Sequence, residues 1–497
     1  MASVFQHSVA SGDPLQDRVI LWTRVTTDAN EPVETTWTLA RDAAFEDIVA
    51  TGTAVADPER DHTVHVDATG LEPDTLYWYR FDALGESSDV ARTKTLPGAG
   101  IGRTRFAMVS CASYNAGFFN AYARIADRED LDFLLHLGDY IYETPNVLPP
   151  SAPQPPEMGR PFDPANECVT LEDYRARYAQ YRRDPDVRAL HLIHPIIATV
   201  DDHEYADGAW REGSSWHRPD QGPYMARKAA AIRARWEWMP CRVQDPNDPE
   251  HVYHSFAIGD LADVFLTDTR THRDQPVPPP AMYERQRTKL GPQQRDWLLH
   301  EIDASTARWR VFANPSVMGQ TYSDALPEPV RAALAKLKLV GDDGSGAQPD
   351  QWDGYPAERS MVLRHIEDHG YDNLVVLSGD VHVGLAIELH DDSFAGREPI
   401  AAEFVTSSLT SMNLDDKMGW PRRSDESLEL ARQAVDAVPH WKWAEFDSNG
   451  YVLIDLTPDR LIAEYWFVDT VLEPSTHEDC AARFLVEHGR PYIRPAP

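Results

Sequence analysis

A thiol, several carboxylates, a phenol and imidazoles gather in four short fragments of this chain. They are Ser110-Cys111, Gly138-Asp139-Tyr140-Ile141-Tyr142, Asp201-Asp202-His203-Glu204 and Gly379-Asp380-Val381-His382. Thiolate, phenolate and carboxylate bring negative charge to a cation, and imidazole brings a nitrogen donor, so together they form a set of metal ligands. No CxxC or Cys/His zinc spacing occurs, which sets zinc-finger chemistry aside. Singly the fragments carry little, because Gly-Asp after a strand is common and a lone histidine there is ordinarily a hydrogen-bonded residue. Their order along one chain makes them specific.

Each fragment follows an apolar run: Phe106-Ala107-Met108-Val109, Phe133-Leu134-Leu135-His136-Leu137, Ile196-Ile197-Ala198-Thr199-Val200 and Leu374-Val375-Val376-Leu377. Such runs predict strands covered on both faces, as in layered α/β sheets. Polar residues at the carboxyl ends of those strands project into the crevice where α/β folds bind ligands. Val264-Phe265-Leu266-Thr267 and Arg310-Val311-Phe312-Ala313 predict further buried strands, and residues 452–456 and 461–466 a closing hairpin. Thr170-Leu171-Glu172-Asp173 matches a capping box, opening a helix with Tyr174, Tyr178 and Tyr181 on one packing face. Helices are also expected over 223–239 and, behind Pro292, over 293–302.

The first hundred residues differ in texture. Short alternating strands such as Val19-Ile20-Leu21-Trp22-Thr23 and Thr63-Val64-His65-Val66 are separated by turn-rich stretches. Residues 70–81, Gly-Leu-Glu-Pro-Asp-Thr-Leu-Tyr-Trp-Tyr-Arg-Phe, resemble the turn and strand of a fibronectin type III domain, where a tyrosine packs a corner of the sandwich. An all-β sandwich is therefore expected over 1–98. Leu96-Pro97-Gly98-Ala99-Gly100 reads as the linker to a second domain over 99–497. Residues 145–164 hold eight prolines and start three residues after Tyr142. They are either part of the site rim or a plain surface insertion. A second insertion, over 322–355, is also placed near the site.

At 497 residues the chain has room for two or three cores. Its formal charge of −33 repels nucleic acid and anionic membranes over most of the exterior, so no stable nucleic-acid partner is expected. An anionic phosphate remains compatible, provided bound cations reverse the sign locally. Cys111, Cys168, Cys241 and Cys480 are too few and scattered for a disulfide framework. No run approaches a membrane span, and Met1-Ala2-Ser3-Val4-Phe5 opens no basic and apolar leader. The chain as written is expected to be soluble and without an export signal.

The ordered fragments resemble the blocks of the calcineurin-like metallophosphoesterases, which run D-x-H, G-D, G-N-H-E and then G-H-x-H. Tyr142, three residues beyond Asp139, resembles the tyrosine of purple acid phosphatases. Cys111 stands where the first aspartate would be, Asp202 replaces the asparagine of G-N-H-E, and Asp380 replaces the first histidine of G-H-x-H. Those departures are similar to the PhoD-type alkaline phosphatases, a family of phosphodiesterases and phosphomonoesterases. Ala10-Ser11-Gly12-Asp13-Pro14, Leu21-Trp22-Thr23-Arg24, Asp268-Thr269-Arg270 and Trp352-Asp353-Gly354-Tyr355 also resemble blocks of that family, which extends the likeness over nearly the whole chain. The implied fold is α/β, a two-sheet metallophosphoesterase sandwich flanked by helices and preceded by the fibronectin III-like domain.

The resemblance implies a site of one ferric iron with calcium. Coordination chemistry agrees: a thiol and a phenol, with ordinary pKa values of about 8.5 and about 10, need a strongly charged cation to hold them deprotonated. Cys111, Asp139, Tyr142 and His382 are assigned to iron. Asp139, Asp202 and Asp380 go to calcium, with magnesium or manganese as other hard ions for the same oxygens. The expected reaction is hydrolysis of a small phosphate ester, diester or monoester, by in-line attack of a metal-bound hydroxide or oxide. The resemblance gives His203 the phosphate or leaving group, against the plainer role of orienting a ligand. Arg175 and Arg182 share a helix face, and Arg182 is assigned to grip phosphate; an arginine-rich exposed surface is the duller alternative. Asp201 is taken as a partner of a ligand, and Asp268 with Arg270 as a buried pair. A phospholipase D-type enzyme would need an apolar rim beside the metals, and the sequence displays none. A non-catalytic adhesion module on a phosphatase fold is opposed by the intact ligand set. The family likeness implies an extracytoplasmic enzyme. The oligomeric state is not legible.

Overall fold

The computed structural model describes residues 3–148, 154–245, 247–321, 326–336, 348–393 and 395–497. Among them the mixed α/β chain builds two large sheets. A ten-stranded sheet has at its centre the parallel strands Thr104–Val109, Phe133–His136 and Ile196–Ala198. A seven-stranded sheet has the parallel strands Ala262–Leu266, Trp309–Ala313, Leu374–Ser378 and Ala401–Val405. The four strands preceding the polar fragments are thus divided three to one between the sheets.

Burial on both faces accounts for the unbroken apolar runs. Phe106, Met108, Leu135 and Ile197 of the first sheet pack into one cluster with Val264, Val311, Val375 and Phe404 of the second. Their neighbours point the other way. Ala107, Val109 and Leu134 meet Tyr174, Tyr178, Tyr181 and Leu190 from the helices Leu171–Arg183 and Pro185–Ile193. Phe312 and Val376 meet Leu298, Ile302 and Leu363 from the helices Pro292–Ala304 and Pro356–His369. The capping box at Thr170 forms: its hydroxyl accepts from the Asp173 N–H at 3.2 Å and the Asp173 carboxylate accepts from the Thr170 N–H at 2.9 Å.

Strands of the first 98 residues fall into two layers. Val33–Ala40, Ile48–Ala56, Leu76–Ala83, Glu86–Ser87 and Ala91–Lys94 form a five-stranded sheet. Val9–Gly12, Arg18–Arg24 and Thr63–Thr69 instead extend the ten-stranded sheet, joined to Ile196–Ala198 at the register pair Gly12–Ile196. Val19, Leu21 and Val66 pack against Leu39, Tyr77 and Phe81 between the layers. The Tyr77 hydroxyl accepts the Glu72 N–H at 2.9 Å, tying strand to preceding turn. The expected linker is anchored: Leu96 is buried and donates to the Leu15 carbonyl at 3.0 Å, and the Gly100 N–H donates to Asp260 at 2.7 Å. Among the described residues no helix is long and apolar enough to cross a membrane.

Candidate metal centre

The four fragments converge at the seam between the sheets. Cys111, Asp139 and Asp202 follow strands of the ten-stranded sheet, while Asp380 and His382 follow Leu374–Ser378 of the other. Cys111, Asp139, Asp380 and His382 all hold left-handed backbone, with φ of 59°, 55°, 71° and 60°. Residues with a Cβ avoid that region, so tertiary contacts must hold them there, as is common at functional sites. Gly138 is needed for a different reason. A Cβ on it would stand 2.5 Å from the Asp201 Cβ and 2.6 Å from its nitrogen, so only glycine lets the two ligand loops touch.

Two donor groups share one residue. Cys111, Asp139 and His382 place ligand atoms within 4.8 Å of one another, and so do Asp139, Asp202 and His203. The Tyr142 hydroxyl joins the first group, donating to Asp139 Oδ2 at 3.0 Å and lying 3.3 Å from His382 Nε2. Ser411 Oγ donates to that phenol oxygen at 2.7 Å. His382 Nδ1 lies 3.1 Å from the Met412 carbonyl, which orients its other nitrogen toward the cluster. Asp201, Asp202 and Asp380 form a third close set.

Electrostatics make this a place for cations. Burial pushes the Cys111 thiol well up, with Asp139 and Asp380 adding to it. Burial raises Tyr142 likewise, followed by Asp139 and Cys111. Asp139 is held well up, chiefly by burial, with partial relief from His203 and a further push from Asp202, Glu204 and Asp380. Asp202 Oδ1 is buried without a hydrogen-bond partner. Cys111, Asp139 and Tyr142, all pushed up, ionise together most readily beside a multivalent cation, and the donor set fits one.

Neighbours fix the loops. Glu204 accepts backbone N–H groups from Asp139 at 2.9 Å, Tyr140 at 2.6 Å and Asp201 at 2.6 Å. His203 stacks on Tyr142, ring centroids 4.0 Å apart, and its Nδ1 lies 2.7 Å from Glu143 Oε2. Burial works against charge on His203, but Glu143 and Asp139 outweigh it and hold its pKa well above the usual imidazole range.

The arginine beside the cluster is not the expected one. Arg182 is buried with its guanidinium 4.4 Å from the Trp22 ring, and it lines neither cavity described below. The helix face that carries it turns into the core, so it cannot grip phosphate. Arg175 pairs with Glu237 at 2.7 Å. Arg270 takes the central place. It is wholly buried, pairs with Asp201 through Nε and Nη2, and reaches Asp350 at 2.6 Å and Asp380 at 2.9 Å. Asp268 instead accepts the Arg270 backbone N–H at 2.8 Å. Gln351 donates to Asp380. Asp350 and Gln351 lie in the second insertion, whose residues 322–325 and 337–347 are outside the described residues. The Asp268-Thr269-Arg270 fragment was the available signal for this arginine; Asp350 had none.

Two cavities meet here. One of about 320 Å³ is polar, lined by Asp139, Asp202, His203, Asp350, Asp380 and His382. The second, about 830 Å³, carries Pro145, Val147, Leu148 and Met412, with His203 and His382 at its base. An apolar rim thus exists beside the ligands, contrary to expectation, because it is assembled from separate loops. Part of the proline-rich segment belongs to that rim; residues 149–153 lie outside the described residues.

Comparison with known proteins gives one answer along the whole chain. The family model described as PhoD-like phosphatase matches residues 106–465, and that of the PhoD-like phosphatase N-terminal domain matches residues 1–97. Alkaline phosphatase D of Bacillus subtilis (strain 168) is 37% identical over 518 residues, covering 99% of this chain and 82% of the relative. A solved structure described as that of PhoD superposes with a TM-score of 0.86 at 34% identity, covering 100% of this chain and 93% of the other.

Proposed function

The chain belongs to the PhoD-like phosphatase family and is a metal-dependent hydrolase of phosphate esters, and from that premise we propose how its own residues divide the work. Cys111, Asp139, Tyr142 and His382 would hold ferric iron, and Asp139, Asp202 and Asp380 would hold calcium, Asp139 being in reach of both groups. The observation that carries this reading is the position of Asp139, within ligand distance of both the Cys111/His382 group and the Asp202 group. Thiolate and phenolate suit a trivalent ion, and an all-carboxylate set suits a hard divalent one, where magnesium or manganese also fit.

Cations held by these residues would supply positive charge at the phosphoryl oxygens and make a water there more acidic. Around them the protein positions and protonates. Glu143, 2.7 Å from Nδ1 of His203, orients the ring, whose other nitrogen when protonated donates to the phosphate or to the departing alkoxide. Stacking on Tyr142 holds that ring in place. Arg270 pairs with both Asp201 and Asp380 and so offsets the repulsion between carboxylates whose oxygens lie within 4.8 Å of one another. We also read residues 1–98 as a fibronectin III-like unit and 99–497 as a two-sheet metallophosphoesterase sandwich. The Tyr77–Glu72 tie and the apolar cluster between the large sheets support those readings.

Two results are expected. Iron-loaded protein is coloured through phenolate-to-ferric charge transfer, and Tyr142→Phe loses or shifts the visible band; a band unchanged by that substitution removes Tyr142 from the iron. Chelation abolishes hydrolysis of bis-aryl and mono-aryl phosphates, and added calcium restores it. Restoration by zinc alone overturns the calcium assignment.

A further inference from the structure

The polar cavity and its larger neighbour are joined at His203, Asp207, Trp216, His382 and Lys417, all of which line both. An organic substituent on a phosphate held by the candidate ligands can therefore face the second cavity. Its walls are Ala116, Pro145, Val147, Leu148, Pro155 and Met412. The volume, about 830 Å³, lies within the roughly 300–1,000 Å³ typical of sites for drug-sized organic groups. Charge narrows the occupant further. Glu143, Glu167 and Asp207 line the cavity together with Arg218 and Lys417, so the lining carries no excess of positive charge for an anionic substituent. Arg218, the nearest guanidinium in the lining, is 2.8 Å from Glu167 and so already neutralised. Lys417 lines both cavities and so stands at their junction, beside the phosphate position, while the walls beyond it are the apolar ones.

We infer that this cavity is the subsite for a neutral, apolar alkyl or aryl substituent of the substrate, which makes the enzyme selective for phosphodiesters carrying such a group. The inference rests on the phosphoester-hydrolase reading of the adjoining centre and adds the chemistry of the group bound beside it. A monoester leaves the subsite filled with water or holds only its leaving group there. A diester with one apolar arm fills it and transfers that arm out of water.

The test uses metal-loaded, full-length enzyme and p-nitrophenyl alkyl phosphates from methyl to butyl, each dissolved as monomers. Burial of one methylene is worth about fourfold in an equilibrium, so kcat/KM is expected to climb roughly 60-fold over the three added methylenes. Calorimetric affinity for dialkyl phosphinates, which are not hydrolysed, should follow the same slope with a negative heat-capacity change. Val147→Asp and Met412→Asp should flatten both slopes while far-UV circular dichroism matches the parent; Val147 is 80% exposed and tolerates the charge without refolding the loop. A flat chain-length profile in the parent, with the methyl ester turned over, overturns the inference and leaves the hydrolase reading standing. Loss of all hydrolysis, methyl ester included, fails the hydrolase reading itself and takes the subsite with it.

Discussion

In Asp139→Asn, hydrolysis falls by roughly a thousandfold or more, and the purified protein retains metal at neither donor group. The substitution is nearly isosteric, so packing around the residue, which is 1% exposed, is kept. What changes is charge and donor count at the one position shared by the Cys111/His382 and Asp202 groups. An amide offers a single oxygen, and the other end of the group presents hydrogens toward the partners that Asp139 now accepts from. Tyr142 donates to Oδ2 and the His203 N–H to Oδ1 at 3.2 Å. Elemental analysis of the variant beside the parent, with parallel rate measurements, decides the matter. Normal turnover with both ions retained would falsify the shared-ligand assignment.

Arg270→Met separates positioning from ligation. Asp201, 1% exposed, pairs with Arg270 through both carboxylate oxygens, and its loss strands a buried carboxylate. Removing one partner of a buried pair costs about 3–5 kcal/mol, so the metal-free variant melts several degrees lower. Asp380 loses its 2.9 Å contact in the same change and is free to turn. Divalent-ion affinity is therefore expected to fall about 10- to 100-fold, the range for partners that orient metal ligands. Iron colour is expected to survive, because Cys111, Tyr142 and His382 do not touch this arginine. Equal loss of both metals assigns Arg270 a general structural role instead. Arg182→Met provides the contrast, with little change in affinity for either ion, since that guanidinium lies over Trp22.

The two arginines also show where sequence reading runs out. The capping box at Thr170 and the tyrosine face of the following helix are local signals, and both are present in the structure. Which way Arg182 faces depends on Trp22, some 160 positions away in sequence, and no periodicity encodes that meeting. Arg270 sits in a recognisable fragment, yet its side chain bypasses Asp268 for Asp201 and Asp350 on other loops. The apolar cavity was hidden for the same reason. Ala116, Val147 and Met412 come from three separate loops, and no single stretch of them is apolar enough to stand out.

Sequence alone determined the chemistry on offer. Apolar runs ending in Cys111, in Asp139 with Tyr142, in Asp202 with His203 and in Asp380 with His382 specify strands and the polar residues at their ends. Order and substitution pattern carried the likeness to a family that the comparisons bear out along the whole chain. Tertiary structure decided the rest: that the strand Leu374–Ser378 belongs to a different sheet from the other three, that Arg270 is the cation among the carboxylates, and that an apolar cavity opens beside them. The physical reason is one of range. Backbone hydrogen bonding and side-chain alternation act over a few residues and are written in the local sequence. Charge pairing and cavity walls are set by which distant segments pack together, and that follows from the burial of all the apolar surface at once.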